Sequence, residues 1–204
     1  MPRTCTTQLL IGRQTLGLDL AAAAGVTTRP HPPERRGIEH QMTRASIRTM
    51  TFSDIPSLAA LLGDAHRRSD YGRFGPYDEQ RGKAFFVQCM QRNGAKTGGG
   101  TFCAVADRGG DVEAFIIGIL QPIYHVMDVL EATDLLWYAR DNAHAQSGAR
   151  LLRAMHKWAV SCPDVRLIRQ ANTNAIVDPS RSGALLKRAK MTETGFVYER
   201  EILK

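Results

Sequence analysis

The amino-acid sequence predicts an α/β (α+β) domain in which helices cover both faces of one sheet. Strand and helix patterns alternate along the chain in the order β-α-α-β-β-β-α-β-α-β. Three strands follow one another without a helix between them, and residues 107–111 (DRGGD) join the first two as a hairpin turn would. Because the order is mixed and helices separate strands in both halves of the chain, a layered sheet-and-helix architecture is expected.

The predicted elements rest on apolar periodicity and on residues that start or end helices. Strands are predicted over 45–50, 101–107, 112–120, 130–139, 165–170 and 196–203. The first helix has Ser53 or Asp54 as its N-cap and Pro56 in its first turn, and later helices are predicted over 78–92, 145–160 and 180–190. The helix 145–160 is strongly amphipathic, because its apolar residues recur at intervals of three and four.

Length and composition fit a single domain that buries a core. The chain has 204 residues, of which 43% are apolar and 23% charged. No apolar run reaches the roughly 18–20 residues that cross a bilayer, so a membrane protein is not expected. Arg13, Gln14 and Asp19 interrupt the apolar residues of 9–26, which therefore lack the core of an export signal. The expected location is the cytoplasm.

The cysteines give no indication of a metal site. The four are Cys5, Cys89, Cys103 and Cys162. They form no C-x-x-C pair and have no histidine at ligand spacing, so neither a zinc site nor a disulfide framework is predicted. Free thiols in a reducing cytoplasm are expected, with no metal.

Residues 1–41 differ from the rest of the chain and are predicted to form a basic, Pro-containing, flexible N-terminal extension. Residues 21–24 are four alanines, and residues 29–36 (RPHPPERR) cannot continue a helix. Met42 opens a stretch typical of a domain start, which places the domain at 42–204. One hypothesis is that translation begins at Met42, and mass spectrometry of the natively expressed protein tests it. A mass that matches residues 1–204 would exclude it.

The formal charge of +7 suggests an acidic partner. Nucleic acid and the phosphates of a coenzyme are both candidates. The basic residues are scattered and not collected into a stripe with interleaved aromatic residues, so nucleic acid is an unlikely partner. A solvated basic surface without a specific partner is the simpler interpretation.

The most informative stretch is 135–159, where a strand leads into a turn of small residues and the turn opens a long helix. The first N–H groups of a helix have no intrahelical acceptor, and the helix dipole adds partial positive charge at the same end. Small residues also let a pyrophosphate approach the backbone closely. An anion site is therefore expected around residues 145–150.

This stretch resembles the acyl-CoA N-acyltransferase (GNAT) superfamily, in particular its divergent phage and prophage members. The family's coenzyme loop reads Arg/Gln-x-x-Gly-x-Gly/Ala and is followed by a helix with paired leucines and often Trp-Ala. The matching positions here are His144, Ser147 and Ala149, then Leu151-Leu152 and Trp158-Ala159. A register one residue earlier, through Ala143, Gln146 and Gly148, fits the leucines slightly better and the loop slightly worse.

Further landmarks follow in the family's order. Residues 47–56 resemble the opening strand and first-helix cap, and residues 66–71 resemble the loop that lines the acceptor side. Residues 185–191, followed by 196–200, resemble the last helix and strand. The resemblance covers about residues 45–203. It implies a GNAT-like fold, with a mixed, mostly antiparallel central sheet and helices on both faces.

The sequence departs from the family pattern in the loop and in the last helix. His144 stands for the usual Arg or Gln, and Ser147 for the first loop glycine. Lys190-Met191 stands where the family has Gly-Phe, and Leu186 replaces the tyrosine that often serves as general acid. Coenzyme contacts in this family run mainly through backbone amides, and many members let solvent protonate the leaving thiolate.

For an active domain, the resemblance implies transfer of an acetyl group from acetyl-CoA to a primary amine of an unknown acceptor, a small molecule or a protein. The coenzyme would lie between strands 130–139 and 165–170, its pantetheine pairing with backbone near Trp137 and Ala139. The implied coenzyme-binding residues of the turn are His144, Ala145, Ser147, Gly148, Ala149 and Arg150.

The amine must lose a proton, so a general base is needed. Glu131 and Asp134 are the candidates, directly or through water, and Tyr71 or Tyr138 would replace the missing acid. Ser69 and Tyr71 are implied for the acceptor pocket. As alternatives, the two carboxylates are solvated charges at the end of a strand, His144 is an exposed turn residue, and Trp137 and Trp158 pack in the core. His125 and His156 receive no role.

Two other functions stay open. One is a catalytically degenerate GNAT fold that acts as a protein-interaction or virion-associated component. The lost loop glycine and the missing tyrosine favour it, and the basic extension 1–41 would then dock on a protein partner. The other is nucleic-acid binding through the basic surface, which would show a steep salt dependence.

Overall fold

The computed structural model describes residues 44–171 and 179–195. The strands are β1 (Ser46–Thr49), β2 (Thr101–Arg108), β3 (Asp111–Pro122), β4 (Leu130–Ala139) and β5 (Val165–Arg169). The helices are α1 (Ile55–Arg68), α2 (Glu79–Gln91), α3 (Ser147–Val160) and α4 (Pro179–Arg188). Short 3-10 turns cover Phe52–Asp54, Asp70–Phe74 and Ile123–His125.

The five strands form one sheet in the order β1-β2-β3-β4-β5. Strands β1 to β4 run antiparallel to their neighbours, and β5 runs parallel to β4. A parallel pair needs a crossover connection, and α3 provides it. The predicted mixed, mostly antiparallel sheet is therefore confirmed.

The turn between β2 and β3 shows why glycine is needed at a hairpin. Gly109 and Gly110 have φ angles of 66° and 92°, which side chains of L residues rarely allow. The carboxylate of Asp107 fixes the turn, since it accepts a hydrogen bond from the Gly110 N–H at 2.6 Å. The residues of the turn, Asp107, Gly109 and Gly110, therefore determine the hairpin through local interactions and backbone conformation.

Two apolar layers lie on opposite faces of the sheet. The face covered by α1 and α2 carries Cys103, Val105, Phe115, Ile117 and Tyr138. The face covered by α3 carries Ala104, Ala106, Ala114, Ile116 and Trp137. Because successive strand residues point to opposite faces, the two sets interleave along the same strands. Leu186 packs on the second layer, so α4 lies on the same side as α3.

A buried ion pair fixes the chain just before α1. Asp54 is 7% exposed and accepts hydrogen bonds from the Arg48 guanidinium at 2.7 and 2.8 Å. Its carboxylate also accepts from the Thr51 N–H at 2.8 Å. These contacts hold the pKa of Asp54 below its ordinary value, the bond to Arg48 most of all. The predicted N-cap thus binds backward to Thr51 and Arg48 and makes no side-chain bond to the start of α1.

Strand β4 contains a β-bulge. Ile117 of β3 pairs with Leu136, while the next residue of β3, Gly118, pairs with Asp134. Leu135 is the extra residue between these pairs. A bulge bends its strand and re-aims the side chains on either side of it.

The pairing between β4 and β5 covers only the first part of β4. It begins at Leu130 opposite Val165 and ends at Thr133 opposite Arg169. The described part of β5 stops there, whereas β4 continues to Ala139. The second half of β4 therefore has an open edge toward the β5 side within the described residues.

Most predicted element bounds agree with the structure to within two residues. The helix expected over 145–160 begins at Ser147, because Ala145 and Gln146 form a turn stabilised by His144. The predicted last strand, 196–203, and the boundary between 1–41 and 42–204 lie outside the described residues. Within the described residues, none of the helices has the length and apolarity that crossing a membrane requires.

Candidate functional site

The turn that precedes α3 is built by backbone hydrogen bonds among its own residues. The Ala143 N–H donates to the Arg140 carbonyl at 3.0 Å, and the Ser147 N–H donates to the His144 carbonyl at 2.8 Å. The Gln146 N–H donates to Nδ1 of His144 at 3.2 Å, so the histidine ring is oriented by the turn. The chain thus enters α3 through a compact loop that its own hydrogen bonds hold together.

A buried carboxylate lies beneath this turn. Glu113 of β3 has no exposed surface, and its Oε1 accepts hydrogen bonds from the His144 N–H at 3.0 Å and the Ser147 hydroxyl at 2.5 Å. Its Oε2 lies 3.0 Å from the Arg108 guanidinium. Two of the donors expected to face a phosphate are therefore used by the protein itself.

Other amides at the start of α3 remain available. Within the described residues, the N–H groups of Gly148 and Ala149 have no backbone acceptor, whereas the Arg150 N–H donates to the Gln146 carbonyl at 2.9 Å. Gly148 lies over the ring of Trp137, and a Cβ atom at this position would be 3.5 Å from that ring. That distance is an ordinary van der Waals contact, so the first turn of the helix packs on the sheet and still presents its N–H groups at the helix end.

A basic cleft of about 530 Å³ opens beside this helix end. It runs between α3 and α4 and is lined by Arg44, Gln146, Ala149, Arg150, Leu152, Arg153, His156, Leu185, Arg188 and Ala189. None of these described lining residues is acidic. Four guanidinium groups and the positive end of a helix dipole therefore act on the same space, which suits a ligand with several phosphate charges.

At the far end of the cleft, three polar side chains meet where β4 and β5 separate. His156 Nε2 lies 2.8 Å from Oε1 of Gln170, the residue after β5. Asp134 of β4 lies close to both of them. Within the described residues, Asp134 Oδ1 and Gln170 Nε2 are buried and have no hydrogen-bond partner. The opening of the sheet therefore contains one buried acceptor, on Asp134, and one buried donor, on Gln170, that lack hydrogen-bond partners.

The environment of Asp134 favours its neutral form. Burial raises the pKa of this carboxyl above its ordinary value, while Gln170, nearby backbone N–H groups and His156 act in the opposite direction. A carboxylate with a raised pKa and a buried oxygen without a partner is suited to accept a proton.

Glu131 lies on the opposite side of the sheet from Asp134. Its neighbours Leu130 and Ala132 pack on the α3 side, so the Glu131 side chain points the other way. Its carboxylate accepts a hydrogen bond from Gln121 Nε2 at 2.7 Å and lies 3.3 Å from the Arg169 guanidinium. Only 2% of the residue is exposed, so the charge is paired within the fold.

Tyr138 is part of a polar network on the α1 side. Its hydroxyl donates to Asp64 and accepts a hydrogen bond from Arg68 at 3.2 Å, and Arg68 also binds Asp141 at 2.7 Å. Burial, together with the bond to Asp64, raises the pKa of the Tyr138 phenol. Glu131 lies seven residues earlier on the same strand, about 20 Å away, so the two groups do not share one site.

The fold itself is shared with acetyltransferases of known structure. AAC(6′)-Iy, in complex with the bisubstrate analog CoA-S-monomethyl-acetylneamine, matches with a TM-score of 0.58 over 79% of this chain and all of its own, at 10% identity. Glucosamine-6-phosphate N-acetyltransferase from Arabidopsis thaliana matches with a TM-score of 0.56 over 76% of this chain and 97% of its own, also at 10% identity. The chain has the GNAT fold.

Other comparisons define how far this likeness extends. A transcriptional regulator from Bacillus halodurans C-125 matches with a TM-score of 0.53 over 78% of this chain and 97% of its own, at 18% identity. No model of a protein family and no curated protein matches the sequence. The GNAT fold is therefore established, while the activity must be argued from the site.

The GNAT fold brings together only some of the predicted coenzyme residues. Ala149 and Arg150 line the basic cleft, while Ser147 is buried on Glu113 and His144 is tied to the turn. Ala145 is exposed in the turn. Trp137 packs its side chain under α3, and Ala139 ends β4 on the open stretch. The two departures in the loop, His144 and Ser147, therefore have structural partners here.

The predicted acceptor residues lie on the α1 side of the GNAT fold. Residues 66–68, expected in a loop, are the last turn of α1, so only the segment from Ser69 onward is non-helical there. The Ser69 hydroxyl donates to the His66 carbonyl at 2.8 Å and accepts from the Tyr71 N–H at 3.3 Å, which closes the end of the helix. Tyr71 is 44% exposed and its ring contacts Phe74.

Sequence reasoning missed several residues of the site. They are Arg44, Glu113, Arg153, His156, Gln170 and Arg188. Arg150, Arg153 and His156 follow one another at three-residue spacing on α3, a signal that would have placed them on one helix face. Glu113 is a lone charge in the apolar run 112–120. No group of three His, Cys, Asp or Glu side chains in the described parts of the chain could hold a metal ion.

Proposed function

We propose that this chain is an N-acetyltransferase that transfers an acetyl group from acetyl-CoA to a primary amine. The observation that carries the proposal is the basic cleft at the N-terminal end of α3, together with the open edge of β4 beyond its pairing with β5. A ligand with phosphates at one end and a neutral arm at the other fits these two environments. Acetyl-CoA has this shape, and when bound it supplies an activated acyl carbonyl.

Different residues would bind the phosphates and the neutral arm of acetyl-CoA. Arg153 and Arg188, from helices on either side of the cleft, would pair with the phosphates, and the N–H groups of Gly148 and Ala149 would donate to them. The open edge of β4 near Trp137 and Ala139 would donate and accept backbone hydrogen bonds along the neutral arm. Within the described residues, the N–H groups of Gly148 and Ala149 have no backbone acceptor, and the end of β4 has no paired strand on its β5 side.

Asp134 is the better placed of the two candidate bases. It lies beside the bulge at the point where the strands separate, and its Oδ1 is buried without a partner. It would take a proton from the ammonium of the acceptor, directly or through a water, so that the neutral nitrogen can form the new C–N bond. Glu131, paired with Arg169 on the other side of the sheet, would keep its charge in a structural role.

Calorimetry with acetyl-CoA, CoA and pantetheine tests the proposal. Acetyl-CoA and CoA are expected to bind, and at 100 times Kd to raise the free energy of unfolding by about 2.7 kcal/mol. Pantetheine, which lacks the phosphates, is expected to bind more weakly. Arg153→Ala is expected to weaken CoA binding about tenfold, whereas Arg81→Ala, which removes an exposed arginine of α2, is expected to leave it unchanged.

A non-catalytic role is the second candidate, because α4 places Leu186 against the apolar layer where the family has its acid. In that role the chain would be a catalytically degenerate or virion-associated component that acts through contacts with other proteins. Failure of millimolar CoA to bind or to shift the melting temperature would contradict the enzyme and leave this function standing.

A further inference from the structure

We propose that Glu113 is a positioning residue that holds the turn before α3 in the shape that binds coenzyme phosphates, with Ser147 as its partner. This inference rests on the proposed function, since it assigns phosphate binding to that turn. Glu113 itself does not touch the ligand. It acts on the backbone groups of the turn from below.

The contacts of Glu113 span the whole turn. Its side-chain Oε1 accepts hydrogen bonds from the His144 N–H at 3.0 Å and from the Ser147 hydroxyl at 2.5 Å. Its backbone carbonyl accepts a hydrogen bond from the Arg140 N–H at 3.1 Å. One residue of β3 therefore fixes the beginning, the middle and the end of the segment. Because both Glu113 and Ser147 are fully buried, water cannot substitute for these bonds.

Arg108 makes the buried charge tolerable and adds a further anchor. Its guanidinium lies 3.0 Å from Glu113 Oε2 and donates to the Asn142 carbonyl at 3.3 Å. An unpaired carboxylate at this depth would be costly and would repel phosphates. With Arg108 beside it, the Glu113 carboxylate can accept hydrogen bonds from the turn while the guanidinium offsets its negative charge.

This arrangement explains the residue at the first glycine position of the loop. A glycine at 147 would have no hydroxyl to give to Glu113, and the carboxylate would lose one of its two donors at Oε1. Serine here supplies that donor from a fully buried position. The serine at position 147, which departs from the family pattern, and the buried Glu113 of β3 therefore act together to hold the turn.

Two effects of removing the carboxylate have opposite signs, which makes the inference testable. Loss of a negative charge near the phosphates would tighten CoA binding if electrostatics alone mattered. Loss of the acceptor would release His144 and Ser147 and would weaken CoA binding if positioning mattered. A glutamine at this position keeps the acceptor oxygen and removes the charge, so it separates the two effects.

The experiment measures Kd for CoA and for pantetheine by calorimetry in the full chain and in Glu113→Ala, Glu113→Gln and Ser147→Ala. We expect Glu113→Ala to raise the Kd for CoA about tenfold and Ser147→Ala to raise it about threefold. Glu113→Gln is expected to bind CoA within about twofold of the parent chain. Pantetheine affinity should be unchanged in all three, because pantetheine does not reach the turn.

Asp54→Asn is the matched control, since it alters another buried carboxylate paired with an arginine, on the α1 side of the sheet. It should lower stability without changing either affinity. If Glu113→Ala does not fold, Glu113→Gln and Ser147→Ala carry the test. Equal CoA affinity in Ser147→Ala and the parent chain, or tighter binding in Glu113→Ala, would overturn the positioning role alone. A parent chain that does not bind CoA would overturn the proposed function and this inference together.

Discussion

Asp134 lies at the bulge of β4, where its side chain faces His156 and Gln170 across the opening of the sheet. The alternation of strand residues, applied without the bulge, would place Asp134 on the same face as Leu136 and Tyr138. The extra residue Leu135 reverses this, so that Asp134 shares the α3 side with Trp137. A single inserted residue therefore decides which side of the sheet the candidate base serves.

Asp134→Asn is expected to slow acetyl transfer by about 100-fold or more, because an amide cannot accept the proton of the acceptor. The measurement is the rate of acetyl-CoA consumption with an amine acceptor, as a function of pH. In the parent chain the rate should rise with pH through a pKa above the ordinary carboxyl value. A variant as active as the parent chain would exclude Asp134 as the base, and Glu131→Gln is the companion variant that tests the other candidate.

The same substitution has an expected effect on stability, whose sign follows from the raised pKa. Below the ordinary value of 3.8, Asp134 is protonated in both the folded and the unfolded chain. As pH rises from there through the raised folded pKa, the unfolded chain releases its proton first, and the parent chain loses stability relative to Asp134→Asn. Urea unfolding between pH 4 and pH 8 measures this difference, and a constant difference would contradict the raised pKa.

At the scale of elements, β4 and β5 form the feature on which the proposed binding of the coenzyme arm depends. Their pairing extends from Leu130 to Thr133 and then stops, while β4 continues as far as Ala139. An exposed strand edge normally invites pairing with another chain, and proteins protect such edges or use them. The neighbouring helix α3 begins beside this edge, since Gly148 in its first turn lies over the ring of Trp137.

Hydrogen exchange is expected to report the open edge directly. Amide protons of residues 135–139 that point toward β5 should exchange faster than those of 130–133, because the latter are already paired. Adding CoA should slow exchange in 135–139 and leave 130–133 unchanged, since an extended arm would take the place of the missing strand. Equal protection of the two segments without ligand would contradict the opening, and an unchanged 135–139 segment with CoA bound would contradict pairing of the arm with β4.

At the scale of the whole molecule, the described core begins with the first described residues of the chain. The three apolar clusters draw on residues from Ala45 to Leu186, and Ala45 itself is fully buried. The basic cleft also takes one of its arginines, Arg44, from just before β1. The segment that enters β1 therefore belongs to both the core and the site.

A chain that starts at Met42 is expected to fold and to bind CoA like the full chain. Its free energy of unfolding should change by less than about 0.5 kcal/mol, because no described core residue is removed. A chain that starts at Thr51 is the control and should fail to fold, since it loses β1 and the pair between Arg48 and Asp54. Weaker CoA binding by the Met42 chain would instead assign residues 1–41 a part in the site.

The sequence by itself determined the order of the described elements, the β2–β3 hairpin and the turn that opens α3. These follow from short-range causes, namely apolar periodicity, glycines with positive φ at Gly109 and Gly110, and small residues before a long amphipathic helix. The expectation of an anion site at that turn also came from the sequence, because unpaired N–H groups are a property of any helix end, and it stays a prediction.

The tertiary structure alone decided which side chains share a site. Glu113 meets Ser147 although 34 residues separate them, and the arginines of the cleft come from α3, α4 and the segment before β1. Periodicity carries no information on such distant pairs, which depend on strand register and helix packing. The bulge at Leu135 placed Asp134 and Tyr138 on opposite faces of the sheet for the same reason, since strand alternation is reset wherever one residue has no partner across the ladder.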